Sequence, residues 1–519
     1  MKILLVRPPI SFYQGSIPPM MSIPIGLLSI AALLERTGFS VEIYDAQVNL
    51  NSPISEFDDE FLMGDSWEIV NNIISNKQAD VVGISCGFST QLSNTLKLAR
   101  IVRDCLPNSI IITGGPHASV MPSDLLNSAS PINLVCIGEG EATMLDLIQT
   151  VSNKGDISSI PGTASWTGNQ IRYNPLRPHI MELDDLPFPA YHLVEMEHYF
   201  RLFETGYYNR PTAFRSGFNR AVSVVTSRGC PFNCIFCSIH LHMGKKWRGN
   251  SADYISAHID ILVNKYNVKH IHFEDDNISY SRARFEKIIN KISNFNITWD
   301  TPNGIRVDTL SEPLVKACKQ SGCTYLVFGV ESGNQNTLNK IIDKKLDLSA
   351  VKKAAAWCKN FNLDSMAFYV IGFPGESANN MRDTTSFALD LYRKFDVKPY
   401  LFVATPLPGT RLEKVLIEQN IIDAPLNSHQ LSTMTQGNFL INAGSFSSEE
   451  LNQVLEEFHA SYRNAYIFNT LKYLFFNPFS IIRFFGLFMR VRSSMSLKNK
   501  LIAIFKVKRA SLGSSHNRS

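Results

Sequence analysis

Val222-Ser223-Val224-Val225-Thr226-Ser227-Arg228-Gly229-Cys230-Pro231-Phe232-Asn233-Cys234-Ile235-Phe236-Cys237 joins an apolar strand to a cysteine loop of C-x3-C-x2-C spacing. The β-branched run Val222–Thr226 reads as a buried strand, and Gly229 and Pro231 end it. Three thiols within eight residues are the pattern of a metal site in a reducing compartment. Two ligand sets fit that pattern. A zinc site needs a fourth donor, and His240 and His242 lie close enough in sequence to complete Cys3His. An iron–sulfur cluster of the ferredoxin type uses four cysteines. Three cysteines therefore leave one iron of a [4Fe-4S] cluster without a protein ligand, where chemistry can occur. The remaining cysteines, Cys86, Cys105, Cys136, Cys318, Cys323 and Cys358, are scattered in apolar surroundings and read as ordinary buried residues.

Outward from this loop the chain alternates strand and helix signals. Downstream, strands are expected at Lys269–Glu274, Thr298–Gly304, Tyr325–Val330, Ser365–Ile371 and Pro399–Ala404, with helices between. With Val222–Thr226 these make six strand–helix units over residues 216–420, an incomplete (β/α)6 barrel of the TIM type. Upstream, residues 1–150 give strands at Lys2–Arg7, Val41–Tyr44, Asp80–Cys86, Ser109–Thr113 and Leu134–Ile137. Helices are expected at Pro24–Gly38, Leu92–Cys105 and Glu141–Val151, each ended by a Gly or Pro signal or opened by a turn. Such alternation implies a parallel sheet covered on both faces, a Rossmann-like α/β domain that binds ligands at the carboxyl ends of its strands. Residues 151–215, rich in Pro, Gly and polar residues, read as a linker with little regular structure. Ser447-Ser448-Glu449-Glu450 is a helix-start signal, and residues 421–519 read as a helical tail.

The cysteine loop resembles the cluster motif of the radical S-adenosylmethionine superfamily, including the aromatic Phe236 before the third cysteine. The resemblance implies a [4Fe-4S] cluster on Cys230, Cys234 and Cys237, whose open iron chelates S-adenosylmethionine, with Phe236 near the adenine. Phe273-Glu274-Asp275-Asp276-Asn277, Asn303-Gly304-Ile305-Arg306-Val307-Asp308 and Gly329-Val330-Glu331-Ser332-Gly333 resemble the family's strand-end segments. Gly372-Phe373-Pro374-Gly375-Glu376 and Pro408-Gly409-Thr410 resemble its later turns. They make Asp275, Arg306, Glu331 and Ser332 candidate contacts for S-adenosylmethionine. Lys344-Lys345 departs from the pattern, since many relatives carry arginine there.

Residues 1–150 resemble the cobalamin-binding domain fused to one branch of that superfamily. The matching residues are Pro8-Pro9, Pro24-Ile25-Gly26, Gly83-Ile84-Ser85, Gly114-Gly115-Pro116-His117-Ala118 and Gly138-Glu139-Gly140-Glu141. Pro9, Gly26, Ser85, Thr90, Gly114, Gly115, His117, Gly138 and Glu139 become the candidate cobalamin contacts. The Asp-x-His-x-x-Gly element that supplies a lower axial histidine in methylcobalamin enzymes is missing, and His117 reads as a helix-start residue rather than a cobalt ligand. The branch implies methylation of an unactivated carbon: a deoxyadenosyl radical takes a substrate hydrogen, and a methyl group arrives from methylcobalamin. A one-electron donor, flavodoxin or ferredoxin, is then required. Ring closure or rearrangement without methyl transfer is the rival within the class, and a cobalamin- or cluster-binding regulator without turnover is the rival outside it.

Composition agrees with a folded globular protein of two or three domains: 519 residues, 45% apolar and 18% charged. The net charge of +4 divides into +11 after Glu457 and −7 over residues 1–457. Within 465–509 eight phenylalanines interleave with basic residues, and no uninterrupted apolar run reaches the roughly 20 residues that span a bilayer. That composition suits a helix lying on an anionic membrane surface or one packed on the barrel with a basic outer face. No nucleic acid partner is expected. With no secretory signal at Met1–Val6, the expected location is cytoplasmic, peripheral to the inner membrane face if the tail docks there. The substrate is expected to be a small molecule or a lipid.

Overall fold

The computed structural model describes residues 1–13, 21–57, 60–205, 220–427, 430–431 and 445–476. The first sheet is built from β1 (Ile3–Arg7), β3 (Val41–Asp45), β6 (Val81–Ser85), β7 (Ile110–Gly114), β8 (Leu134–Cys136), β9 (Thr163–Thr167) and β10 (Gln170–Tyr173). Their spatial order is β10-β9-β8-β7-β6-β1-β3, with β3 to β8 parallel and the last two antiparallel. Residues such as Val6, Val82 and Ile111 pack against one helix layer, and Leu5, Val81 and Ile112 against the other. This two-sided burial is why the strands read as continuous apolar runs. The chain leaves β1 in one direction to reach β3 and in the other to reach β6. The crevice between the loops after β1 and β6 is therefore the topological switch point, where such sheets bind ligands.

Two parts of this half differ from the expectation. A small antiparallel sheet of β2 (Ile10–Tyr13), β4 (Ile54–Phe57) and β5 (Glu60–Met63) lies outside the main alternation. The segment 151–215 also carries regular structure, since β9 and β10 extend the first sheet and the helix Met196–Thr205 follows them. Tyr199 of this helix is fully buried and donates its hydroxyl to Asp45, which also pairs with Arg7. Of the turn residues that make this stretch look like a linker, Gly168 and Asn169 turn the β9–β10 hairpin, whereas Pro161, Gly162, Pro187 and Pro189 lie in the connections before and after it.

The second sheet runs β11 (Ala221–Val224), β14 (His270–Phe273), β15 (Thr298–Ile305), β16 (Cys323–Glu331), β17 (Asp364–Ile371) and β18 (Lys398–Val403). All neighbours are parallel, and β11 does not pair with β18. This is the six-stranded open barrel expected from sequence, with helices between the strands. Two short strands, β12 (Ser227–Arg228) and β13 (Arg248–Gly249), bracket the cysteine loop. The C-terminal helix Ser448–Phe476 opens with the expected reciprocal cap, Glu450 N to Ser447 Oγ and Ser447 N to Glu450 Oε2. It packs Leu451 and Val454 against Ile371 at the end of β17. No helix among the described residues is long and apolar enough to cross a membrane. The basic, phenylalanine-rich stretch beyond Phe476 lies outside the described residues.

Candidate active site

The three cysteines sit at the carboxyl end of the barrel, in a loop fixed mainly through its backbone. Cys230 N donates to Gly244 O, Ile235 N to Ile342 O, Leu412 N to Ile235 O, and Gly229 N to Asp276 Oδ2. Gly229 has φ +81°, and a Cβ there would lie 2.7 Å from Lys246 O, so glycine is required. Burial raises all three thiols, Cys237 to about 12. Against that burial, Lys344 and Arg306 favour the Cys234 thiolate. Among the described residues, the three sulfurs are not all within 4.8 Å of one another, and neither His240 nor His242 completes a single-ion site with them. Zinc bound by thiolates at about 2.3 Å would draw its sulfurs closer than that. A wider cluster with three protein ligands fits this loop.

Around the loop the candidate S-adenosylmethionine residues fall into two groups. Glu331 and Arg306 face the cysteines. Glu331 stands at a register shift at the end of β16 with φ +72°, and its Oε1 accepts from Lys344 Nζ at 3.0 Å. Lys344, the position that departs from the family pattern, is thus a buried cation between Glu331 and Cys234. Arg306 bonds Asp308 and the Lys344 carbonyl, and its guanidinium lies 3.7 Å from the centre of the Phe232 ring. Asp275 and Ser332 are turned inward. Both are fully enclosed: Asp275 accepts from Thr226 N, Thr226 Oγ1 and Ser227 Oγ, and Ser332 shares a hydrogen bond with Thr384 Oγ1 at 2.8 Å. They hold the backbone that carries the site. Phe236 lies 5.9 Å from Phe373, ring centre to ring centre, on the barrel core.

On the first sheet, Pro9, Ser85, Thr90 and the glycines gather at the carboxyl edge. A Cβ on Gly26 or on Gly87 would meet nothing within 4 Å, so the backbone there borders open space. Phe88, next to Gly87, is 68% exposed. Gly115 has φ +124°, and its Cβ would strike Cys86 O at 2.6 Å; Gly114 lies closely against Cys136. Pro9 is buried, its carbonyl held by Asn94. His117 is also buried, with Nδ1 2.9 Å from Ser89 Oγ and Nε2 3.4 Å from Asp124. It is the second residue of the short helix Pro116–Val120, and its Nε2 has no hydrogen-bond partner among the described residues.

Glu139 is not on the open edge. It accepts from Arg228 Nη1 (2.8 Å), Arg248 Nη1 (2.7 Å) and Ile180 N (2.8 Å). Glu141 takes the other arm of Arg228 at 2.6 Å and a hydrogen bond from Ser29. Burial alone would raise both carboxyls, but Arg228 overcomes it and holds both below the usual carboxylate range. Two carboxylates and two guanidiniums thus form a buried lock between the loop after β8 and the strands flanking the cysteines. Arg228 stands two residues before Cys230. The motif Gly138-Glu139-Gly140-Glu141 is visible in sequence, but Arg228 and Arg248 lie 87 to 109 residues away and no local pattern announces them.

The fold and site define a two-domain class: an open parallel sheet with a ligand-binding edge, locked onto a partial barrel that carries three cysteines for a cluster. The B12 binding domain family matches residues 20–148, and the Radical SAM superfamily matches residues 224–388. An uncharacterized methyltransferase of Pyrococcus horikoshii is 30% identical over 468 residues, covering 89% of this chain and 92% of that protein. A cytidylyl-2-hydroxyethylphosphonate methyltransferase of Streptomyces wedmorensis is 28% identical, covering 89% and 90%. The radical S-adenosylmethionine methyltransferase TsrM of Kitasatospora setae, solved with cobalamin and a [4Fe-4S] cluster, shares the fold. Its TM-score is 0.62 at 16% identity, over 82% of this chain and 78% of that one. The chain belongs to the cobalamin-binding radical S-adenosylmethionine methyltransferase family.

Proposed function

We propose that this protein methylates an unactivated carbon of a small-molecule or lipid substrate, using S-adenosylmethionine, a [4Fe-4S] cluster and cobalamin. The observation that carries the reading is the Arg228 lock, which ties the loop after β8 of the first sheet to the strand that leads into the cysteine loop. When bound, the cluster supplies one-electron cleavage of S-adenosylmethionine and cobalamin supplies a methyl carrier. Cys230, Cys234 and Cys237 would hold the cluster, and the glycine-lined edge by Gly26, Gly87 and Gly138 would take the flat corrin. Glu331, Lys344 and Arg306 would orient the charged end of S-adenosylmethionine beside Cys234. Asp275 and Ser332 would act at one remove, by fixing the strand ends. An external one-electron donor such as flavodoxin or ferredoxin is needed.

The test uses protein purified without oxygen, reconstituted with iron and sulfide and supplied with hydroxocobalamin. Iron, bound corrinoid and 5′-deoxyadenosine are measured after reduction with dithionite. About four irons per chain, bound corrinoid and deoxyadenosine are expected, with iron and deoxyadenosine lost in Cys234→Ala while corrinoid stays. Zinc in place of iron with no cleavage refutes the reading. Extract fractions incubated with methyl-labelled S-adenosylmethionine then separate the chemistries: a product heavier by one labelled methyl supports methylation, and an unlabelled, dehydrogenated product means ring closure.

A further inference from the structure

Inside the barrel, remote from the cysteine loop, three ligand-type side chains converge. His270 and His272 lie two residues apart on β14, and Asp300 lies beside them on β15. Their neighbours Ile271 and Phe273 point into the helix-facing core, so the two histidines face the barrel interior. Asp300 offers one oxygen to each ring: Oδ2 to His270 Nε2 at 2.9 Å and Oδ1 to His272 Nδ1 at 2.8 Å. One nitrogen from each ring and the carboxylate lie within 4.8 Å of one another, and the side chains are 0 to 3% exposed.

The far side of the His270 ring is also held, with Nδ1 2.7 Å from Thr298 Oγ1. A metal-bound histidine usually donates its other ring N–H to an oxygen, which fixes its tautomer and orientation, and Thr298 Oγ1 stands where that acceptor would be.

We propose that His270, His272 and Asp300 bind a divalent transition-metal ion, zinc foremost, separate from the cysteine cluster. Two imidazole nitrogens and a carboxylate are a normal zinc donor set. His270 opens β14, with His272 two residues on, and Asp300 is the third of the eight residues of β15, so the site lies below the strand ends that carry the cysteines, toward the side where barrel residues serve stability. A wholly enclosed site takes its metal as the barrel folds, and the ion ties β14 to β15.

The test is metal analysis of the full-length protein with its cluster loaded, so that the cysteines are occupied, after dialysis against a chelator. About one zinc per chain beside the cluster iron is expected. The Cys230→Ala/Cys234→Ala/Cys237→Ala variant should lose the iron and keep the zinc, while His272→Ala should lose the zinc and keep the iron. The holoprotein's own zinc content decides the matter if either variant fails to fold. A holoprotein without a second metal after growth in zinc-replete medium overturns the proposal. Zinc that disappears with the three cysteines overturns it equally.

Discussion

Replacing Arg228 by methionine keeps its length and removes its charge, and the consequence can be worked from the lock. Glu139 keeps Arg248 and the Ile180 amide. Glu141 loses both guanidinium contacts, keeps only the Ser29 hydroxyl among its named side-chain partners, and is 6% exposed. Leaving it ionised costs about 3–5 kcal/mol, the usual effect of breaking a buried pair. Protonating it instead costs about 3.7 kcal/mol at pH 7, starting from a free carboxyl near pKa 4.3. Because protonation is the cheaper route at lower pH, that cost shrinks by about 1.4 kcal/mol per pH unit, to roughly 1.6 at pH 5.5. In the wild type, the lowered carboxyl contributes stability above its unfolded pKa and loses it only as pH falls through the still lower folded value. The wild-type contribution from this group is therefore flat between pH 5.5 and 7. Urea unfolding at both pH values should show Arg228→Met destabilised by 3 to 4 kcal/mol at pH 7 and by about half that at pH 5.5. Glu141→Gln in the same background should recover most of the loss at pH 7. A loss below about 1 kcal/mol, or one that ignores pH and is not rescued, refutes the lock.

Lys344→Met removes the cation that joins Glu331 to Cys234, and a charged hydrogen bond of about 1.5–3 kcal/mol predicts S-adenosylmethionine binding weakened about tenfold or more. Lys344→Arg should keep binding within a few-fold, as equilibrium dialysis of the holoprotein would report; equal binding in both variants would remove Lys344 from the site. Glu376 accepts from Gly372 N and Phe373 N, its Oε1 has no partner among the described residues, and burial pushes its carboxyl to about 7. Its folded pKa lies above the unfolded value, so this stability is full near pH 4 and fades as pH rises to 7. Glu376→Gln should flatten that part of the profile, and an unchanged slope of urea midpoint against pH counts against it.

The barrel strands were legible to within a residue or two because each is a short apolar run closed by glycine, proline or a polar turn. Leu92–Cys105 matches its helix end to end for the same reason, a strong period stopped by Pro107. Short amphipathic pieces were not legible. Gln170–Tyr173 alternates over only four residues, Glu60–Met63 is one acid followed by three apolar residues, and Trp67–Ser75 has Ser66 as an N-cap but little length for a period to develop. At the site, motifs located strand ends but not side-chain directions. Glu331 and Ser332 are adjacent, yet one meets Lys344 beside the cysteines and the other is sealed against Thr384. Register and a positive φ separate them, and neither is written in a five-residue motif. Glu139 shows the same limit at longer range, since a glycine-flanked acid looks like a ligand contact until Arg228 and Arg248 are folded onto it.

Placing charges rather than apolar side chains at the seam follows from what the proposed chemistry asks of it. Apolar surfaces attract without direction and tolerate sliding, whereas an arginine fork accepts carboxylates only in its own plane. Arg228 reaches Glu139 with one arm and Glu141 with the other, and Arg248 pins Glu139 from the far side. A shift of 1 Å between the sheets would break these bonds, and errors of that size can lower a positioned reaction about a hundredfold. The glycines at the seam serve the same end. A Cβ on Gly409 would strike the Val120 side chain at 2.7 Å, so the two halves pack closely there. A seam this close and this directional fixes the distance between the open edge of the first sheet and the cysteine loop before either cofactor binds. The binding energy of those cofactors is then free to act on the substrate rather than on domain closure.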